Sequence, residues 1–193
     1  MVYKVSKHDR HIQGHIYLRG SKSISNRVLI MEALMNRTIE KRNISDSNDT
    51  RIMSSLLHSA TTTFDAHDAG TVFRFMTAYL ALKEGSWILT GSERMKQRPV
   101  GDLVDPLREL GARIEYLGKQ HFPPLKITGG TLKGGSINVH SGISSQFASA
   151  LLMIAPCMKT GLTLELTGDI VSQPYIDMTL SLMQYFDVHH EKV

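Results

Sequence analysis

The sequence predicts an α/β protein built from a recurring strand–helix unit. Three observations carry that prediction. Apolar periods of two and of about 3.6 residues alternate along the chain. Small polar residues stand just ahead of the helical stretches. These polar helix mouths also recur at a shared spacing, as expected when one supersecondary unit is used more than once.

The elements follow in order. Ile12 to Leu18 alternates apolar and polar residues and predicts a strand. Ser21-Lys22-Ser23-Ile24-Ser25-Asn26 then opens an apolar helix through Val28 to Met35. Ser45 to Asp49 opens a second helix through Ile52, Leu56 and Leu57, with Asp49 as its expected N-cap. Asp68-Ala69-Gly70-Thr71 opens a helix carrying Phe73, Phe75, Met76, Tyr79 and Leu80, followed by a strand over Ser86 to Thr90 and a turn.

Arg98-Pro99 opens its companion through Leu103, Val104, Leu107 and Leu110, and Gly111 closes it. Pro106 inside that pattern predicts either a kink or a later start. Strands are expected at Arg113 to Leu117, Lys126 to Thr128 and Leu162 to Leu166, with Gly129-Gly130 and Gly134-Gly135 as turns. Ser144-Ser145-Gln146 opens a helix through Leu151 to Ile154, and Ser172-Gln173-Pro174 opens its companion through Met178, Leu182, Met183 and Phe186. Ser21 to Gly70 and Asp49 to Arg98 each span roughly 49 residues, and the third copy lies about 75 residues further on.

Composition bounds the function. The chain has 193 residues, 41% of them apolar and 21% charged, so it can build a packed core and is not disordered throughout. Its net charge of +4 is a mild basic excess, scattered apart from clusters at Arg37 to Arg42 and Arg94 to Arg98. Only 7% of residues are aromatic, which counts against a nucleic-acid surface. The single cysteine, Cys157, excludes an intrachain disulfide and a cysteine-based zinc site, and within the apolar run Phe147 to Met158 it reads as a small buried hydrophobe. The histidines form no H-x-x-x-H pair on an expected helix, so no metal is expected. The start lacks an apolar signal core and no run is long enough to span a bilayer, so a cytoplasmic setting is expected, with no membrane partner.

Helix mouths bind anions through unpaired N–H groups and about half a positive charge. Lys22 stands in the first mouth, Gly70 in the second, and Ser144 and Ser145 in the third. Arg27 and Arg74 lie about one turn into their helices, and Arg98 begins a companion helix. Together they suit a small phosphorylated acid. Each also has a plainer reading, the serines as caps and the cations as solvated charges. No Walker A or G-x-G-x-x-G pattern is present.

At these residues the chain resembles the 5-enolpyruvylshikimate-3-phosphate synthases. The resemblance rests on Gly20-Ser21-Lys22-Ser23-Ile24-Ser25-Asn26-Arg27, Asp68-Ala69-Gly70-Thr71 with Arg74, Arg94 to Pro99, Ser144-Ser145-Gln146-Phe147 and Pro174-Tyr175-Ile176-Asp177. The serine-rich run after Lys22 favours this family over the related UDP-N-acetylglucosamine enolpyruvyl transferases. The resemblance implies a fold of repeated βαβαββ units. It also implies transfer of the enolpyruvyl group of phosphoenolpyruvate to the 5-hydroxyl of shikimate 3-phosphate, without a cofactor.

Carried over by motif, Lys22, Ser23, Arg27, Ser144, Ser145, Gln146 and Ser172 would hold shikimate 3-phosphate, with Arg27 on its carboxylate. Lys22, Gly70, Arg98 and Gln146 would hold phosphoenolpyruvate. Departures are Phe75 where the family often has proline, Gln173 where it often has lysine, and Asp68 where asparagine is common. The resemblance further implies that residues 1–18 belong to an opposite domain and that 19–193 form the first domain, incomplete at its C-terminus. The general acid and base are then expected in a C-terminal half, and the complete protein is expected to be a monomer. The alternatives are a binding module for a phosphorylated acid that does no chemistry, or a relative of the UDP-N-acetylglucosamine enolpyruvyl transferases.

Overall fold

A computed structural model describes residues 2–6, 8–9, 11, 13–140, 144–168 and 172–192. Helices α1 (Lys22–Met35) and α2 (Asn48–Leu57) come first and pack on each other. Strand β1 (Thr63–Asp65), helix α3 (Gly70–Leu82) and strand β2 (Gly85–Thr90) follow. Then come the short α4 (Glu93–Lys96), α5 (Gly101–Glu109), β3 (Arg113–Tyr116) and β4 (Leu125–Gly129). The chain continues through β5 (Gly135–His140), α6 (Ser145–Ile154), β6 (Leu162–Thr167) and α7 (Gln173–Tyr185).

Two sheets result. In the larger, the strand order is β1-β2-β4-β3, with β1 parallel to β2 and the other pairs antiparallel. Its register sets Phe64 opposite Leu89, Leu89 opposite Leu125, and Ile114 opposite Ile127. In the smaller sheet β5 runs parallel to β6, with Ile137 opposite Leu164. Parallel neighbours require a crossover, and α3 and α6 supply the two crossovers. From β1 to β4 the element order is βαβαββ, interrupted only by the short α4.

Helix α3 is apolar on nearly every side, as suits a helix enclosed by others. Val72, Phe73, Phe75, Met76 and Leu80 are all buried. It packs on α6, which buries Phe147, Ala150, Leu151 and Ile154. Helix α6 packs in turn on α7. These contacts gather the N-terminal ends of α1, α3, α6 and α7 around one cavity.

The helix ends mostly follow their caps. Ser21 accepts from Ile24 N–H at 3.4 Å, and Ser144 accepts from Gln146 N–H at 3.3 Å. Gly111, at φ +102°, ends α5 in a Schellman arrangement. Its N–H reaches Arg108 O and the Ala112 N–H reaches Leu107 O, both at 2.9 Å.

Several expectations are corrected. Residues 13–18 are not a strand, and Ile12 lies outside the described residues. Ile16, Tyr17 and Leu18 are more than 80% exposed, so the alternating pattern has no partner strand or apolar face to meet. Ser47, not Asp49, caps α2, since its hydroxyl accepts from Thr50 N–H. Asp49 then lies inside the first turn. Arg98 lies in the α4–α5 connection instead of beginning α5, which starts at Gly101 with Pro106 in its second turn. Cys157 is exposed, because a 3₁₀ turn over Ala155–Cys157 follows α6 and breaks the helical phase that would have buried it. Neither β1 nor α4 was expected: β1 is only three residues long, and α4 fills the expected turn behind its Ser92 cap.

Candidate functional site

A cavity of about 350 Å³ is lined by Lys22 and Ser23 from the start of α1, and Thr71 from the start of α3. Ser144, Ser145 and Gln146 come from the start of α6, and Ser172 and Tyr175 from the start of α7. Arg27, one turn into α1, completes it. Four helix N-termini therefore share one space. Each brings unpaired N–H groups and the positive end of its dipole.

The caps leave hydroxyls usable. A hydroxyl has one hydrogen and two lone pairs. Capping by Ser144 uses a lone pair, so its O–H remains free to donate. Ser172 caps α7 through its backbone alone, with no side-chain cap bond, at φ +68°. Helix α3 has no side-chain cap, and its N-cap is Ala69. Its first N–H groups are thus open at Gly70 and Thr71.

Arg27 is the most constrained cation of the cavity. Only 2% of its surface is exposed. Its Nε donates to Thr179 Oγ1 at 2.6 Å, and its Nη2 donates to Ser149 Oγ at 2.8 Å and to Tyr175 O at 3.4 Å. Nη1 donates to Ser23 O at 2.9 Å. The guanidinium also lies over Phe75, 5.3 Å from the ring centre. Burial pulls its pKa down to about 10, partly offset by Tyr175, so it stays charged at neutral pH. Of five N–H groups, one on Nη1 remains. Arg27 can therefore offer a ligand one bond and its charge, not the two-bond fork that guanidinium geometry otherwise allows.

A second pair of guanidinium groups flanks the α3 mouth. A Cβ built on Gly70 would fall against the Nη1 atoms of Arg98 and Arg74. Burial and the neighbouring Arg98 charge pull Arg74 down to about 10. Arg74 Nη1 donates to Gln146 Oε1 at 2.8 Å, its Cζ lies 5.1 Å from the Phe147 ring centre, and its Nε is buried without a partner among the described residues. Gln146 Nε2 donates to Thr71 Oγ1 at 3.1 Å. No carboxylate lies within ion-pair distance of Arg74 or Arg98 among the described residues, so neither charge is neutralised by an acidic side chain there, although Arg74 itself is buried.

Lys22 does have a counter-ion. Its Nζ lies 3.2 Å from Asp49 Oδ2, in the first turn of α2. Capping by Ser47 frees that carboxylate for the lysine. The cavity lining itself contains no carboxylate and no histidine among the described residues. It can fix phosphate and carboxylate groups, and Lys22 and Tyr175 are its proton-bearing side chains besides Arg27 and the hydroxyls.

All seven residues expected to hold shikimate 3-phosphate line this cavity. Of those expected for phosphoenolpyruvate, Lys22 and Gln146 line it. Gly70 lies one residue from the lining Thr71, with Arg98 packed over it. Thr71 and Tyr175 sit within the quoted motifs but were not picked out as site residues. Asp49, Ser149 and Thr179 were not picked out either. Ser149 and Thr179 carry no local pattern that marks them, because their partner is 122 and 152 residues away in the chain.

The sequence matches the family model described as EPSP synthase (3-phosphoshikimate 1-carboxyvinyltransferase), over residues 6–65 and 54–192. It is 50% identical to a 3-phosphoshikimate 1-carboxyvinyltransferase of Bacteroides fragilis, over 91% of this chain and 43% of that protein. It is 41% identical to the one of Colwellia psychrerythraea, over 92% of this chain and 48% of that protein. In fold it is similar to an EPSP synthase from Acinetobacter baumannii, with a TM-score of 0.74 at 20% identity, over 93% of this chain and 45% of that one. The chain thus spans about half the length of the curated relatives it matches.

Proposed function

The chain belongs to the EPSP synthase family, and from that premise we propose that it carries the shikimate 3-phosphate-binding half of a 3-phosphoshikimate 1-carboxyvinyltransferase. The observation that carries this reading is the meeting of Lys22, Ser23, Arg27, Ser144, Ser145, Gln146 and Ser172 around one cavity ringed by four helix N-termini. Ser144, Ser145 and Ser172 donate to the phosphate of shikimate 3-phosphate. Arg27 holds its carboxylate through the remaining N–H.

Phosphoenolpyruvate lies beside it at the Gly70 backbone, against Arg98, with Lys22 and Gln146 between the two substrates. In the whole reaction the 5-hydroxyl oxygen adds to C2 of phosphoenolpyruvate, and the hydroxyl proton is lost as C3 gains one. Elimination then removes a C3 proton, expels phosphate and restores the double bond. In this reading the proton-moving groups are assigned to the half of the relatives' length that this chain does not span, and the cavity lining has no carboxylate or histidine among the described residues. Residues 19–193 belong to the first domain, and residues 1–18 go with the opposite one. The exposure of Ile16, Tyr17 and Leu18 supports that division.

Calorimetric titration of the 193-residue chain tests the reading. Shikimate 3-phosphate is expected to bind, weakly for want of an opposing wall, and shikimate lacking the phosphate at least tenfold more weakly still. No turnover is expected from this chain alone. Equal affinity for both compounds, or no binding at millimolar ligand with the fold intact, would overturn it.

A further inference from the structure

We propose that Arg74 and Thr71 are positioning residues that fix the orientation of the Gln146 carboxamide, so that Gln146 meets the ligand as a hydrogen-bond donor. This rests on the reading of the cavity as a shikimate 3-phosphate site. A free glutamine amide turns over easily, presenting either oxygen or NH₂ to a given side. Arg74 has only donors, so the atom 2.8 Å from its Nη1 must be the amide oxygen. The NH₂ then falls toward Thr71, whose hydroxyl accepts one of its hydrogens at 3.1 Å. The second hydrogen remains at the cavity wall. The Ser144 cap bond to Gln146 N–H holds the backbone at the same point.

The alternative, that Arg74 serves only to stabilise the core, fits its surroundings poorly. It is 93% buried by relative exposure (7%), has no carboxylate partner among the described residues, and leaves its Nε unpaired. A buried cation so placed costs stability by desolvation. Arg74 does not line the cavity, but Gln146 and Thr71 do. Its influence on a ligand in this cavity therefore passes through Gln146. With the amide reversed, an oxygen would face an anionic ligand and repel it.

Two measurements on the 193-residue chain test this. The first uses no ligand: hydrogen exchange of the Gln146 side-chain amide, assigned by its loss in Gln146→Ala. It is expected to be slowed at least fivefold relative to free glutamine, and to return to the free rate in Thr71→Val and in Arg74→Lys. Free-rate exchange in the unsubstituted chain would overturn the proposal. The second is a binding cycle with shikimate 3-phosphate. Arg74→Lys is expected to weaken binding at least fivefold, but less than twofold when Gln146→Ala is already present. An equal loss in both backgrounds would mean that Arg74 acts through the fold or on the ligand directly, and would overturn the proposal.

Gln146→Glu adds a check that a purely structural role does not pass. A carboxylate facing Arg74 neutralises the buried cation and raises Tm, yet it takes the donor away from the cavity and weakens binding at least tenfold. Retained affinity in Gln146→Glu would overturn the proposal. If slowed exchange is seen but no form of the chain binds shikimate 3-phosphate, the reading of the cavity fails while the fixed amide stands.

Discussion

Arg27 Nε donates to Thr179 Oγ1 at 2.6 Å, joining α1 to α7 across 152 residues of sequence. Thr179 in turn donates to Ser149 of α6 at 2.9 Å, and Arg27 reaches Ser149 as well. One guanidinium thus fixes the relative positions of three of the four helix mouths. Its structural and binding roles cannot be separated cleanly, because the N–H left for a ligand is aimed by the bonds the others make.

Arg27→Lys is therefore expected to lower stability and ligand affinity together. An ammonium cannot span Thr179, Ser149 and the Ser23 carbonyl at once. With the hydroxyls still able to bond each other, the loss is about 1–3 kcal/mol, or several degrees of Tm for a chain of this size. The substituted ammonium also starts from a lower pKa than arginine and meets the same burial. Its folded pKa then lies below its unfolded one, the native state binds fewer protons between them, and stability rises with pH across that interval. The unsubstituted Arg27, at about 10, adds no such slope between pH 6 and 8. Thermal unfolding across that range and into the mildly alkaline region, with a parallel titration of shikimate 3-phosphate, checks both. Unchanged Tm with lost binding would assign Arg27 to the ligand alone.

Gly70→Ala should separate folding from binding at the α3 mouth. The added methyl would meet the tips of two long side chains, Arg98 and Arg74 at 2.6 Å, and not backbone. Tips can move, so a Tm change under about 1 kcal/mol equivalent is expected. The moved guanidinium groups no longer face the same point, and phosphoenolpyruvate affinity is expected to fall at least fivefold. A large stability loss would show that the arginines are locked in place by the core.

Tyr116 gives a test far from the cavity. Its hydroxyl is buried without a partner among the described residues. Burial first, then the charge of Asp105, push its pKa up to about 12, against the opposing pull of Arg108. Between pH 10 and 12 the native state keeps a proton that the unfolded chain has lost. The contribution is present below pH 10 and is lost as pH rises through that window. Tyr116→Phe keeps the ring under Arg108, which lies 4.8 Å away. It is expected to leave stability unchanged or raise it by up to about 1 kcal/mol, with a flatter decline above pH 10. Chemical denaturation at pH 8 and pH 10.5 reads both effects, and a marked loss at pH 8 would reveal a partner for the hydroxyl.

The sequence made the helix mouths legible because caps are local: Ser21 and Ser144 act within three residues of themselves. The family could be read from the same stretches. What local pattern cannot show is which of two neighbouring residues does which job. Ser47 and Asp49 both suit a cap, and only the fold, which brings Lys22 to Asp49, decides between them. Long-range partners are hidden for the same reason, Thr179 and Ser149 being ordinary helix residues until Arg27 reaches them. The alternation in residues 12–18 is a real apolar pattern, but a strand also needs a partner, and none lies beside residues 13–18 among the described residues.

Ser172 separates stability from function with opposite signs. It sits at φ +68°, ψ +35°, a left-handed conformation that costs a side-chain-bearing residue roughly 1 kcal/mol or more. Glycine adopts it freely. Among the described residues the hydroxyl makes no cap bond to α7 that would offset this cost. A serine held in strain at a cavity wall, with no cap bond to its own helix, motivates a test of its hydroxyl as a ligand contact. Ser172→Gly is therefore expected to leave Tm unchanged or raise it slightly, the relief of strain being opposed by the greater freedom of the unfolded chain. The same substitution should weaken shikimate 3-phosphate at least fivefold through loss of one donor to its phosphate. Ser172→Ala keeps the strain and loses the donor, so it should match the glycine variant in affinity while lying below it in Tm. If both variants bind as the unsubstituted chain does, the hydroxyl does not touch the ligand, and the phosphate rests on Ser144, Ser145 and the helix N-termini alone.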